Sequence, residues 1–228
     1  ARASALGERA CAIALDVRDA GAWERALDAA WARWGRVDVL VNNAGLLRGG
    51  TLLEQSTEAL RDMIDVNLMG VVHGLRAGVP RLAGQSGGGH VIDVASLAGY
   101  VPLKGQALYA ATKHAVRALH HAFALEQAGG PVTFTLVCPG AVDTGMLRQQ
   151  VGADSNAMAF ASRALTAEQA AEGLWRAATR RPREILLPAG GGFGARLLGA
   201  FPALLARVTP HLERSGRAAL ERLRRGDR

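Results

Sequence analysis

Tyr109 and Lys113 stand four residues apart in a stretch with helical patterning, so both project from one face, a single turn from each other. An ammonium that close to a phenol favours the phenolate. It draws the tyrosine from its ordinary pKa of about 10 towards the range of a general acid or base. Ser96 lies 13 residues before Tyr109, where a predicted strand ends, and there its hydroxyl can share a substrate oxygen with the phenol. The lysine is informative in itself. Lys104 and Lys113 are the only lysines, against 25 arginines. A chain that writes arginine wherever a surface cation suffices keeps a compact ammonium of adjustable pKa at this position.

These residues need elements to position them. Cys11–Leu15 (CAIAL) and Val37–Val41 (VDVLV) are short aliphatic runs that read as strands buried on both faces. Between them Asp19 caps a predicted helix with apolar residues at Trp23, Leu27, Trp31 and Trp34, stopped by Gly35. A long helix follows over about Thr57 to Leu82, then a strand at His90–Ala95, a helix from about Gln106 to Glu126, and a strand at Val132–Val137. Thr166 and Gln169 form a capping box that opens a helix to about Thr179, and Glu184–Leu187 is a last strand. Strands alternating with helices imply right-handed parallel crossovers and a three-layer α/β/α sandwich.

In such sheets ligands bind outside the carboxyl ends of the strands. The predicted strand exits carry Asp16-Val17, Asn42-Asn43-Ala44-Gly45, Ala95-Ser96 and Cys138-Pro139-Gly140. Each is an ordinary turn sequence alone. Four on one sheet edge are not ordinary.

Composition narrows the classes. With 49% hydrophobic and 21% charged residues, the 228-residue chain is globular rather than disordered or coiled coil. Cys11 and Cys138 are too few for a disulfide scaffold, and none of the cysteines or six histidines has metal-ligand spacing; a cytoplasmic setting and no metal are expected. No apolar run reaches the ~18–20 residues of a membrane span. Residues 196–228 hold eight arginines against Glu213, Glu221 and Asp227, which places +5 of the net +7 there. The main body is nearly neutral, so no nucleic-acid-binding face is expected. The chain divides on this reading into 1–190 and a basic amphipathic tail, 191–228. The tail reads as an oligomer contact, a cover over the pocket, or an interfacial helix at anionic lipid.

The order Asp16, Asn42-Asn43-Ala44-Gly45, Asn67, Ser96, Tyr109-x-x-x-Lys113 and Pro139-Gly140 with Thr144 resembles the short-chain dehydrogenase/reductase family over residues 1 to about 190. The resemblance implies a Rossmann-type fold with a parallel sheet, and hydride transfer between NAD or NADP and a carbonyl or secondary alcohol. It implies that Tyr109 exchanges the proton, that Ser96 polarises the substrate oxygen, and that Lys113 binds the nicotinamide ribose and lowers the tyrosine pKa. Asn67 would distort its helix and anchor a water in a proton relay. Asp16 and Val17 would contact the adenine; Asn43, Ala44 and Gly45 the adenosine ribose side; Pro139, Gly140, Val142 and Thr144 the nicotinamide and phosphates.

One departure from the pattern is large. The family's first strand, Gly-rich phosphate turn, helix and second strand have no counterpart, and the chain opens at Ala1-Arg2-Ala3 in what corresponds to the tail of the second crossover helix. An N-terminal segment is expected to precede it; the residues that separate NAD from NADP would lie there. A non-catalytic Rossmann-like binding or assembly protein is the alternative if that segment does not exist. The stretch from Asp143 to Leu165, with Met146, Leu147, Val151, Met158 and Phe160, is expected to be a loop that forms a substrate lid. Leu46, Leu47, Ala98 and Val101 would add apolar walls suited to a hydrophobic carbonyl compound. Substrate contacts fall to Ser96, Ala98, Tyr109 and Met146. The resemblance also implies a homodimer or homotetramer built through the two long helices.

Overall fold

The computed structural model describes residues 4–151 and 154–225; Ala1-Arg2-Ala3 and, in the basic tail, Asp227 and Arg228 lie outside the described residues. Four parallel strands, β1 (Val39–Asn42), β2 (Gly89–Val94), β3 (Val132–Pro139) and β4 (Glu184–Leu187), pair in chain order. Leu40 stands beside Val91, Asp93 beside Leu136, and Pro139 beside Leu187. Parallel neighbours cannot be joined by a hairpin, so each connection crosses over through helices.

Side chains alternate between the two faces of the sheet. Leu40, Val91 and Leu136 point to the face covered by α1 (Ala20–Trp34), α3 (Gly70–Gly84) and α4 (Ala107–Glu126). Ile92, Val137 and Leu187 point to the other face, where α6 (Ala167–Arg180) covers them. The expected three-layer Rossmann-type sandwich is what the chain forms. Asp19 caps α1 and a left-handed Gly35 ends it; the Thr166–Gln169 capping box opens α6. Small residues bring α3 close to β1. A Cβ at Gly74 would stand 2.1 Å from Asn42 Oδ1, and one at Gly78 would stand 2.3 Å from a Leu40 methyl, so neither position admits a side chain.

Three expectations are corrected. Cys11–Leu15 forms no strand; it is irregular chain with residues 11–14 exposed. A strand is defined by its neighbour, and in the doubly wound order 3-2-1-4 two strands separate the third from the fourth. Among the described residues β1 pairs with β2 alone, so no strand lies beside this run. The long helix of 57–82 is not one regular α-helix but α2 (Thr57–Ile64), a π-helical turn (Asp65–Met69) that holds Asn67, where the resemblance implied a distortion, and α3. The stretch 143–165 is not an open loop. It holds the short α5 (Gly145–Arg148) and a 3-10 turn (Asp154–Phe160), and its end pairs back on its start through Asp143 N to Leu165 O at 2.8 Å. Beyond β4 come α7 (Ala189–Ala200) and α8 (Pro202–Arg225).

Candidate active site

Ser96 follows β2 in extended conformation. Its Oγ accepts from Ala98 N at 3.1 Å and donates to Pro139 O at 3.3 Å, so one hydroxyl joins the exits of β2 and β3. The tight turn Leu97–Gly99 then meets α4 backbone to backbone: a Cβ at Gly99 would stand 2.7 Å from Lys113 O. That approach sets the Ser96 exit against the helix that carries Tyr109 and Lys113.

The inward stripe of α4 is Ala110, Lys113, Val116 and His120. Tyr109 flanks it, half-buried, close enough to Ser96 for that hydroxyl to act on the phenol. Lys113 is 4% exposed; its Nζ donates to Val94 O at 3.0 Å and sits 5.9 Å from the centre of the Tyr109 ring. Asn67 is fully buried in the π-helical turn. Its Oδ1 accepts from Leu46 N at 2.6 Å, while its Nδ2 donates to Leu46 O at 2.9 Å and Thr112 Oγ1 at 3.1 Å. The asparagine therefore fixes the chain leaving β1 to α4. Gly45 completes the group, since a Cβ there would stand 3.7 Å from both Asn67 Oδ1 and Lys113 Nζ. Asn67, Ser96, Tyr109, Lys113 and the Asn43-Ala44-Gly45 turn thus converge outside the carboxyl ends of β1, β2 and β3.

The electrostatics depart from expectation. Burial pushes the Tyr109 phenol above its ordinary value, and the nearby Ser96 hydroxyl offsets only part of that rise. Burial also pulls Lys113 down from 10.5 to about 8. The ammonium faces a strand carbonyl and acts on the ring from nearly 6 Å, so desolvation outweighs the expected depression of the tyrosine.

The remaining sequence-derived positions are spread along the same edge. Pro139 ends β3, Gly140 N donates to Leu187 O at 2.7 Å, and Val142 pairs with Leu165. Thr144 is exposed at the start of α5, with its hydroxyl on Val142 O at 3.3 Å, and Met146 is half-buried in α5. Ala98 and Val101 are buried, Val101 within the main core, and Leu47 is buried as well. Val17 packs under α3, where a Cβ on Gly70 would meet its side chain at 2.8 Å. Asp16 is exposed; the Arg18 guanidinium, 2.8 Å away, holds its carboxyl down at about 2, and Arg18 also reaches Asp62 at 3.2 Å.

Sequence reasoning missed the polar group beneath the site. Asp93 of β2 is wholly buried; one carboxylate oxygen accepts from Asn42 Nδ2 at 2.7 Å and the other contacts His120 Nδ1 at 2.7 Å. His120 is 2% exposed, and its neighbour His121 is half-buried. The signal was present: His120 follows Lys113 by seven residues, two helical turns, and so shares its face.

An open parallel sheet covered by helices on both faces, with polar groups converging beyond its strand ends, defines a Rossmann-type protein. Residues 1–154 match the family model described as short chain dehydrogenase, and the chain belongs to that family. Among solved structures, a short-chain dehydrogenase/reductase from Burkholderia phymatum in complex with NAD superimposes with a TM-score of 0.77 at 30% identity, covering 89% of this chain and 79% of that one. ElxO with NADP bound gives a TM-score of 0.65 at 26% identity over 76% and 74% of the two chains. The 1-deoxy-11-beta-hydroxypentalenate dehydrogenase of Streptomyces avermitilis is 35% identical over 176 residues, 76% of this chain and 64% of that protein. The chain spans between 48% and 64% of the length of the first curated relatives it matches.

Proposed function

We propose that the chain is an NAD- or NADP-dependent oxidoreductase that interconverts a hydrophobic carbonyl compound and its secondary alcohol. The observation that carries this reading is the gathering of buried Ser96 and Lys113 with half-buried Tyr109 at the carboxyl ends of the strands. The residues present fit the nicotinamide end of the cofactor. An ammonium has three N–H donors, and among the described residues a single carbonyl, that of Val94, accepts from Lys113. Ribose hydroxyls suit the remaining donors, and Gly45 keeps the space beside them free of a side chain. When bound, the nicotinamide supplies or takes up the hydride.

The protein's own part is proton handling. Burial keeps the Tyr109 phenol protonated, the form that donates to a carbonyl oxygen in reduction. Ser96 Oγ shares that oxygen and holds it within reach of the phenol. Lys113, charged at neutral pH, favours the phenolate left behind and so eases the transfer. Asn67 fixes the β1 exit to α4 and, on this reading, anchors a water that returns the proton to Tyr109. Asn43, Ala44, Pro139, Gly140, Val142 and Thr144 would flank the cofactor, Asp16 and Val17 its adenine, and Ala98 and Met146 the substrate. The unit is read as residues 1–190 with the basic 191–228 segment attached, as a homodimer or homotetramer through the helical stretches 57–82 and 106–126, and as cytoplasmic. Ile64, Met69 and Leu125, exposed along those helices, support the oligomer, and the two free cysteines support the compartment. Among the described residues no helix is long and apolar enough to cross a membrane.

The test is the change in nicotinamide absorbance over a panel of ketones and aldehydes, with Tyr109→Phe beside the wild type. Turnover should fall about 10²–10⁴-fold with the melting temperature unchanged. Equal turnover in the variant overturns the proposed acid, and a preference for small charged substrates overturns the hydrophobic pocket.

A further inference from the structure

We infer that Asn156 and the α8 face around Gly216 and Leu220 are positioning residues that set substrate affinity without touching the substrate, an inference that rests on the oxidoreductase reading. The segment that follows β3 is held from two sides. On its inner side Asn156 is fully buried; its Nδ2 donates to Gln150 Oε1 at 2.8 Å, and its Oδ1 accepts from Gly50 N at 3.5 Å. Gln150, 4% exposed, donates in turn to Leu47 O at 3.3 Å. This pair latches the segment onto the loop leaving β1, a few residues beyond the Asn43-Ala44-Gly45 turn. Two glycines make room for it. A Cβ at Gly49 would stand 2.1 Å from Asn156 Nδ2, and one at Gly105, two residues before α4, would stand 2.1 Å from Ser155 O. The segment therefore bridges the two loops that lead to Gly45 and to Tyr109.

On its outer side α8 closes against it. A Cβ at Gly216 would stand 1.9 Å from Ala157 O, and Leu220, 1% exposed, fills an apolar cluster with Ala157 and Phe160 into which Leu147 and Val151 also pack. Arg224 donates to Val151 O at 2.8 and 3.0 Å. Lys104 pairs with Glu213 at 2.7 Å, which ties α8 to the loop in front of α4 as well. Polar latch and apolar brace act on Gln150 and Val151 and on residues 155–160. A wall held from both sides gives its pocket one shape. Each unit of brace removed should let the wall sample open forms, and a substrate then loses affinity in proportion to the closed fraction.

Two variants of the full chain test this: Leu220→Ala, and Arg224→Ala at an exposed position that leaves the core intact. The first readout is hydrogen exchange without cofactor or substrate. Leu220→Ala should speed exchange over 145–160 by about tenfold or more and leave α4 unchanged, with a smaller rise in Arg224→Ala. The second is kinetic: the substrate KM should rise by about tenfold in Leu220→Ala, with kcat and the cofactor KM near wild type. Unchanged exchange over 145–160 in both variants overturns the brace. Faster exchange with an unchanged substrate KM, or with equal changes in both KM values, overturns the positioning role. A wild type that turns over no carbonyl overturns the oxidoreductase reading and the affinity claim with it, whereas the exchange result still decides whether α8 holds the segment.

Discussion

Asp93 and Asp16 each hold nitrogen donors, but one does so in the core and the other in water. Asp93, Asn42 and His120 are 0–4% exposed and come from β2, β1 and α4. Asp16, Arg18 and Asp62 have side chains 41–51% exposed and sit around the start of α1 and α2. The pair in water is screened and costs little to break. The buried group cannot be left half made, because a carboxylate stripped of a partner finds no water to replace it. The inner network therefore fixes the frame of the site, one residue before the Val94 carbonyl that receives Lys113. The outer one leaves Asp16 free to exchange partners, as its proposed contact with an adenine would require.

The sharpest way to break this contrast is His120→Ala. It should lower stability by about 1–3 kcal/mol in denaturant unfolding, since Asp93 is left with Asn42 alone. A cost below about 1 kcal/mol would place the inner network on the same footing as the outer. Lys113 offers a test with a sign. Its folded value of about 8 lies below its ordinary 10.5, so between those values the unfolded chain binds a proton that the folded chain does not. The stability of the wild type relative to Lys113→Met should rise as pH goes from about 8 to 10.5 and be flat below that window. A flat difference throughout would mean that the ammonium is not desolvated. The smallest effect is expected at the surface. Asp16→Asn should leave the melting temperature unchanged at neutral pH and alter only the cofactor KM; a clear thermal shift would show the outer network to be structural.

The same contrast explains what the sequence disclosed. The exits of β1, β2 and β3, the Tyr109–Lys113 face, the Asp19 cap and the Thr166–Gln169 box are local patterns, set by residues within one or two turns of each other, and they were legible. The Cys11–Leu15 run was misread because a strand depends on a neighbour distant in the chain. The distortion at Asn67 was implied by the resemblance alone, since its side-chain partners, Leu46 and Thr112, are remote in sequence. The Asp93–His120 contact spans 27 residues, and the stretch 143–165 packs against Gly216 and Leu220 some 60 residues downstream. The tyrosine's environment failed for a related reason: the sequence places the ammonium one turn away but cannot give the cost of burying both groups.

One helix carries Tyr109, Lys113 and His120 on adjoining positions of a single side. An α-helix turns by about 100° per residue, so inserting one amino acid between Tyr109 and Lys113 would swing every later position off the sheet together. Phenol, ammonium and core anchor are thereby set by a single rotational phase, and length changes within this stretch should be far less tolerated than substitutions.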